Sequence, residues 1–322
     1  MKNTLTLFCC ILFLSLARGK TPERVINSDS LLIDTHAIVT ISDSRQYIRI
    51  KGSISDPVLL FLAGGPGDSV TGRMKQMFSK LSEEFLVVLW DIRSTGETSK
   101  QGNPEREFSQ KLFLEDTEIL VDHILRKYHK EKLYLAGFSW GTVPGFYMAA
   151  HHPELLHAYI AISPIIDQMK SEAMAIQLMV EEAQAETNEV ALSELSEVQL
   201  PFQNAEQLYY SRKWIFLKGG NRFAKKKSFK KYVFDWSATW LEVFNEALQT
   251  NLFETLPTIK CPVYFLAGGQ DIRTNPQITK MYYKQVKAPK KEFFLFENSG
   301  HLIPYEDQKR FQETLIDSIL KN

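Results

Sequence analysis

Gly137-Phe138-Ser139-Trp140-Gly141 is the stretch from which the rest of this chain is read. Ahead of it, Lys132-Leu133-Tyr134-Leu135-Ala136 is apolar and β-prone; behind it, Val143 to His151 reads as helix. A serine between two glycines at a strand-to-helix junction fits a nucleophile on a sharp turn. The glycines let strand and helix pack closely, and the hydroxyl stands clear of the sheet. The Trp140 N–H then points to where an oxyanion would develop. The same five residues also fit a glycine-rich β–α turn with a serine helix cap, but a strained backbone is a poor place for serine without a chemical reason.

Working outward, short apolar runs alternate with helical stretches. Val58-Leu59-Leu60-Phe61-Leu62 leads into a glycine-rich loop and a helix near Thr71 to Glu83. The run from Phe85 to Trp90 follows, then a helix from about Leu112 to Tyr128, the Leu133 strand, and Ala158 to Ile162. Upstream, Leu31 to Ile41 and Gln46 to Lys51 alternate around Ser42-Asp43-Ser44, which predicts an antiparallel hairpin. The alternation stops from about Ser163 to Leu256, where Met169 to Glu186 and Phe234 to Leu248 are the clearest helical pieces. It resumes at Pro262 to Leu266, with a helix near Ile278 to Val286, a strand from Phe293 to Phe296 and a closing helix from Glu306 to Leu320. The expected fold class is α/β: a mostly parallel central sheet with flanking helices and an inserted helical cap. Residues 20–165 and 256–322 form the core in this reading, and 166–255 the cap.

The 322 residues carry 38 Lys and Arg against 38 Asp and Glu, so net charge points to no nucleic acid or strongly charged partner. Residues 1–19 read as a signal peptide: Lys2 precedes an apolar run of 12 residues, Leu5 to Leu16, with small residues at Ala17 and Gly19. Export to a periplasm or the medium is expected, with no stable membrane span after cleavage; an uncleaved N-terminal anchor is the competing reading. With Cys9 and Cys10 removed, Cys261 alone remains and no intramolecular disulfide can form.

A serine hydroxyl needs a base to take its proton and an acid to hold that base in one tautomer. Of seven histidines, His301 stands apart, in Asn298-Ser299-Gly300-His301 after the last strand, at the sheet edge where sites form. The acid is expected one strand earlier, at Asp271 in Gly268-Gly269-Gln270-Asp271, with Asp167 after the 158–162 strand as the lesser alternative. A second oxyanion donor is expected from Ala63-Gly64-Gly65-Pro66-Gly67, at the Gly65 N–H. No Gly-Lys-Ser/Thr follows that loop, so a phosphate cradle is not indicated. The three cysteines and seven histidines show no metal-ligand spacing, and no cofactor is expected. The run Lys225-Lys226-Lys227-Ser228-Phe229-Lys230-Lys231 reads as a solvated cap face, with attraction of an anionic surface or substrate as the alternative.

With these motifs in place, the chain resembles the α/β-hydrolase superfamily and, within it, the prolyl iminopeptidase-like branch of serine peptidases. That branch carries His-Gly-Gly-Pro-Gly, Asp-Gln-Arg-Gly and Gly-Gly-Ser-Trp-Gly. Here the three read Ala63-Gly64-Gly65-Pro66-Gly67, Asp91-Ile92-Arg93-Ser94 and Gly137-Phe138-Ser139-Trp140-Gly141. The resemblance implies Ser139 as nucleophile, Asp271 as orienting acid, His301 as base, and Gly65 and Trp140 as oxyanion donors. It implies a serine hydrolase that cleaves an amide or ester in a small molecule or short peptide through an acyl-enzyme, an aminopeptidase first. A carboxylesterase of small esters and a non-catalytic ligand-binding relative are the alternatives. Prolyl iminopeptidases hold the substrate amine with cap glutamates near a Trp-rich segment. Trp236-Ser237-Ala238-Thr239-Trp240-Leu241-Glu242 is similar with its spacing off by one, which marks Trp240 and Glu242 as substrate-binding candidates; core packing explains the tryptophans equally well.

Overall fold

The computed structural model describes residues 31–69, 71, 78–104 and 106–321, and all statements of structure concern these. The signal segment lies outside them, as does most of the helix expected near Thr71; Leu81–Glu83 forms a 3-10 turn.

Eight strands form one sheet: β1 (Leu32–Ile41), β2 (Ser44–Ser53), β3 (Val58–Leu62), β4 (Leu86–Asp91), β5 (Leu133–Phe138), β6 (Leu156–Ile162), β7 (Val263–Gly268) and β8 (Lys291–Phe296). Their spatial order is β1-β2-β4-β3-β5-β6-β7-β8. β1 and β2 make the expected hairpin and β2 pairs antiparallel with β4; every later pairing is parallel. β3 shows why its sequence is apolar without alternation. Val58, Leu60 and Leu62 join the core on one face, Leu59 and Phe61 the core on the other. A strand covered on both sides has no position to give to water.

Two helices pack beside the early strands, α1 (Gln110–Lys127) and α2 (Thr142–His151). Between β6 and β7 the chain is helical: α3 (Gln168–Ala185), α4 (Glu189–Ser196), α5 (Ala205–Lys218), α6 (Lys227–Leu248) and the single turn α7 (Leu252–Thr255). α8 (Pro276–Gln285) then joins β7 to β8. The expected closing helix forms over 308–320, α-helical at Gln308–Glu313 and π-helical at Thr314–Leu320; a separate turn, Ile303–Glu306, precedes it, and Asp307 between them has a non-helical backbone. Among the described residues no helix is long and apolar enough to cross a membrane.

Candidate active site

Strand register brings the site together before any side chain is considered. Leu62 at the end of β3 pairs with Gly137, Phe138 pairs with Ile162, Ile162 with Leu266, and Gly268 with Phe296. The loops that follow these strands therefore open side by side at one edge of the sheet. They carry the Ala63–Gly67 turn, Ser139, Asp271 and His301.

Ser139 sits at φ 52°, in the left-handed region that a non-glycine residue enters only when its surroundings hold it there. Gly141 makes the turn possible, because a methyl group there would run into the backbone oxygens of Leu62 and Ala63. Thr142 fixes the turn from below, its Oγ1 donating to the Ser139 carbonyl at 2.6 Å and accepting from the Ile165 N–H at 3.0 Å. On the other side of the sheet edge, a methyl group at Gly268 would collide with the Gly300 carbonyl oxygen. Its absence lets the β7 loop lie against the Asn298–His301 loop, where the Gln270 N–H donates to the Ser299 carbonyl at 2.9 Å.

The result is a continuous chain of hydrogen bonds. His301 Nε2 lies 2.9 Å from Ser139 Oγ, and His301 Nδ1 lies 2.8 Å from Asp271 Oδ2. The carboxylate can only accept, so the neutral ring carries its proton on Nδ1 and turns the Nε2 lone pair to the serine. Asp271 is held by residues that sequence reasoning missed. Thr274 Oγ1 donates to Oδ2 at 2.6 Å, and the N–H groups of Arg273 and Thr274 donate to Oδ1 at 2.8 and 3.0 Å. An aspartate followed three residues later by threonine is a side-chain turn signal that could have pointed to this. Asp167, the alternative acid, instead caps the N-terminus of α3, accepting from the Lys170 N–H at 3.1 Å.

Burial alone would raise the Asp271 carboxyl, but the His301 charge, its hydrogen bond and those from Thr274 outweigh it and hold the group below the ordinary carboxylate value. His301 is pushed below the ordinary imidazole value, first by burial and then by the guanidinium of Arg273; Asp271 opposes both. The His301 shift favours the neutral imidazole, and the Asp271 shift the ionised carboxylate.

The Ala63–Gly67 loop reaches Ser139: a Cβ built on Gly64 would lie 3.1 Å from Ser139 Cβ. Gly65 lines a cavity of about 510 Å³ whose other walls include Asp68, Arg212, Phe216, Trp236, Phe244 and Arg273. Exposed Phe223, Tyr232 and Leu302 also line it, so it is roofed by α5 and α6 and open to solvent. Trp236 ties the roof to the loop, its Nε1 donating to the Pro66 carbonyl at 2.8 Å.

Neither Trp240 nor Glu242 lines this cavity. The Trp240 ring is buried against Phe108 and Phe113, at centroid distances of 5.1 and 5.7 Å. Glu242 is exposed and lines a separate outer cavity with Ser94, Arg106 and Phe108. Trp236, one helical turn earlier, lines the cavity, while the Trp240 ring packs on Gly67 of the Ala63–Gly67 loop. The basic run stays at the surface, with Lys230 paired to Glu206 at 2.9 Å and Lys231 to Asp235 at 2.6 Å.

The sequence from residue 57 to 308 matches the family model described as alpha/beta hydrolase fold, more than half of the chain. The chain belongs to the α/β-hydrolase fold family. Among proteins it is similar to is a probable aminopeptidase, YbaC, of Bacillus subtilis, 27% identical over 297 residues that cover 86% of this chain and 93% of the relative. A proline iminopeptidase of Clostridium botulinum is 23% identical over 89% of this chain and 99% of its own. These relatives support the prolyl iminopeptidase-like branch. The solved structure of an esterase from Exiguobacterium antarcticum shares the fold, with a TM-score of 0.57 at 15% identity, covering 89% of this chain and all (100%) of that one.

Within this α/β-hydrolase the Asp91-Ile92-Arg93-Ser94 motif acts as a brace. Asp91 accepts from Ser69 Oγ at 3.0 Å, Thr71 Oγ1 at 2.5 Å and the Glu97 N–H at 3.0 Å, and so joins the loops after β3 and β4. Arg93 donates to both Asp116 oxygens, at 2.5 and 3.0 Å, and to Asp43 at 2.7 Å. Ile92 and Ser94, the two departures from the family pattern, make none of these contacts.

Proposed function

We propose that this α/β-hydrolase is a serine hydrolase that cleaves an amide or ester bond through an acyl-enzyme, with short peptides or aminoacyl compounds as its first substrate class. The observation that carries the reading is the Ser139–His301–Asp271 hydrogen-bond chain, at 2.9 and 2.8 Å, beside a roofed cavity. Ser139 Oγ attacks the carbonyl carbon while His301 Nε2 takes its proton. The N–H groups of Gly65 and Trp140 receive the oxyanion. His301 then returns the proton to the leaving amine or alcohol, and water repeats the cycle on the acyl-enzyme.

An aminopeptidase must offer a carboxylate to the substrate's ammonium group, since burying that charge alone is costly. Glu242 faces a different cavity, and Asp68, beside Gly65, takes the role in this reading. A panel of chromogenic aminoacyl-amides, their N-acetylated counterparts and short-chain esters tests it. Turnover of the free-amine amides, lost mainly on those substrates in Asp68→Asn, is expected. Equal turnover of blocked and free substrates would favour the carboxylesterase reading, which the aromatic walls at Phe216, Phe229 and Phe244 also suit. Export by residues 1–19 belongs to the same proposal. N-terminal sequencing of the protein from its host tests it, and a first residue of Met1 would contradict cleavage.

A further inference from the structure

The cavity lined by Gly65 and Leu302, the neighbours of Gly64 and His301, contains two arginines whose circumstances differ. Arg212 on α5 is spoken for: its guanidinium donates to both oxygens of buried Glu172 on α3, at 2.8 and 2.7 Å, and lies over the rings of Phe202 and Phe244. Arg273 follows two residues after Asp271. Its backbone N–H holds the Asp271 carboxylate, while its partly buried side chain forms part of the cavity wall and lies over the Phe216 ring at 5.7 Å. Among the described residues no carboxylate comes within ion-pair distance of that guanidinium. A partly buried guanidinium that no carboxylate touches directly is costly to keep. The nearby charges that it feels are Arg212, Asp271, Glu172 and Asp68. Asp271 and Glu172 are already engaged by His301 and Arg212.

We propose that Arg273 is the anion-binding residue of this cavity, its guanidinium receiving a carboxylate carried by the substrate. The chemistry favours a carboxylate over a phosphate. Only one guanidinium fork is available, and the walls are otherwise largely aromatic. On the peptidase reading, on which this rests for the identity of the site, the substrate is a short peptide with a free C-terminus. Its carboxylate must lie within one cavity's reach of the scissile bond. The same electrostatics couple binding to chemistry. Arg273 lowers the proton affinity of His301, and a carboxylate bound to it cancels part of that effect, so substrate binding returns basicity to the imidazole.

The test uses binding rather than turnover, so that it stands or falls apart from the hydrolase reading. Calorimetric titration of the unmutated protein with 4-phenylbutyrate and with 4-phenylbutyramide compares an anion with its neutral counterpart of nearly the same shape. The anion is expected to bind about 10- to 100-fold more tightly, the range of a charge-assisted hydrogen bond. Arg273→Gln should remove the difference while the amide's affinity stays unchanged, and Arg273→Lys should keep part of it. Equal affinities in the unmutated protein, no binding of either probe, or an anion preference that survives Arg273→Gln would overturn the proposal. Failure of the hydrolase reading shows separately, as absence of covalent labelling at Ser139.

Discussion

At the scale of single residues, Thr274 offers the sharpest probe of how the site is held. Thr274→Val keeps the shape and removes one of the hydrogen bonds to Asp271 Oδ2. The carboxylate loses a donor and holds His301 less firmly, so kcat should fall about tenfold, near 1.4 kcal/mol, with KM little changed. An unaltered kcat would show that the backbone donors suffice. The pH dependence follows from His301. Its base form is neutral, and because its pKa lies below the ordinary 6.5, that form persists to lower pH. The expectation from sequence alone is a rise in kcat/KM across roughly pH 6 to 7.5. The structure moves the half-maximum below pH 6.5 and leaves a plateau above it. Arg273→Gln removes a positive neighbour and should shift the half-maximum upward; no shift would count against that coupling. The convergence of Ser139, Asp271 and His301 was legible because each follows the end of a recognisable strand. Where Trp240 and Glu242 pack was not, because helical spacing shows which residues share a face but not which turn of the helix hangs over the cavity.

At the scale of elements, the sheet was readable and the cap only half so. Strands covered on both faces announce themselves as short apolar runs, and β3 was located to the residue. α4 and α5 left no such mark. α4 has eight residues, and α5 buries Ser211 and Arg212 together with Leu208 and Ile215, which blurs any apolar stripe. Their caps, Asn188 and Asn204, were the available signal, since each side chain accepts from the first turn. The closing helix was read where it lies, but helical spacing cannot report that its second half, Thr314–Leu320, is π-helical. The close approach of the β7 and β8 loops is testable in the same terms. Gly268→Ala puts a methyl group against the Gly300 carbonyl and must displace the loop that carries His301. Loss of activity well beyond any loss of thermal stability is expected; a fully active variant would mean that the loops can separate without moving the base.

For the whole molecule, the buried Arg93–Asp116 pair joins the loop after β4 to α1, and neither residue lines the cavity. Asp116→Ala leaves a guanidinium buried without its main partner and should cost about 3–5 kcal/mol of stability, read from denaturant midpoints. A change under about 1 kcal/mol would mean that Asp43 alone satisfies Arg93. Acyl transfer at this site requires Ser139 to be a nucleophile. Incubation of the folded protein with a fluorophosphonate, followed by intact-mass and peptide mass spectrometry, tests this directly. One adduct per chain on the peptide containing Ser139 is expected, absent in Ser139→Ala and slowed by several orders of magnitude in His301→Ala. No adduct on the folded protein, or one that persists in Ser139→Ala, would contradict it.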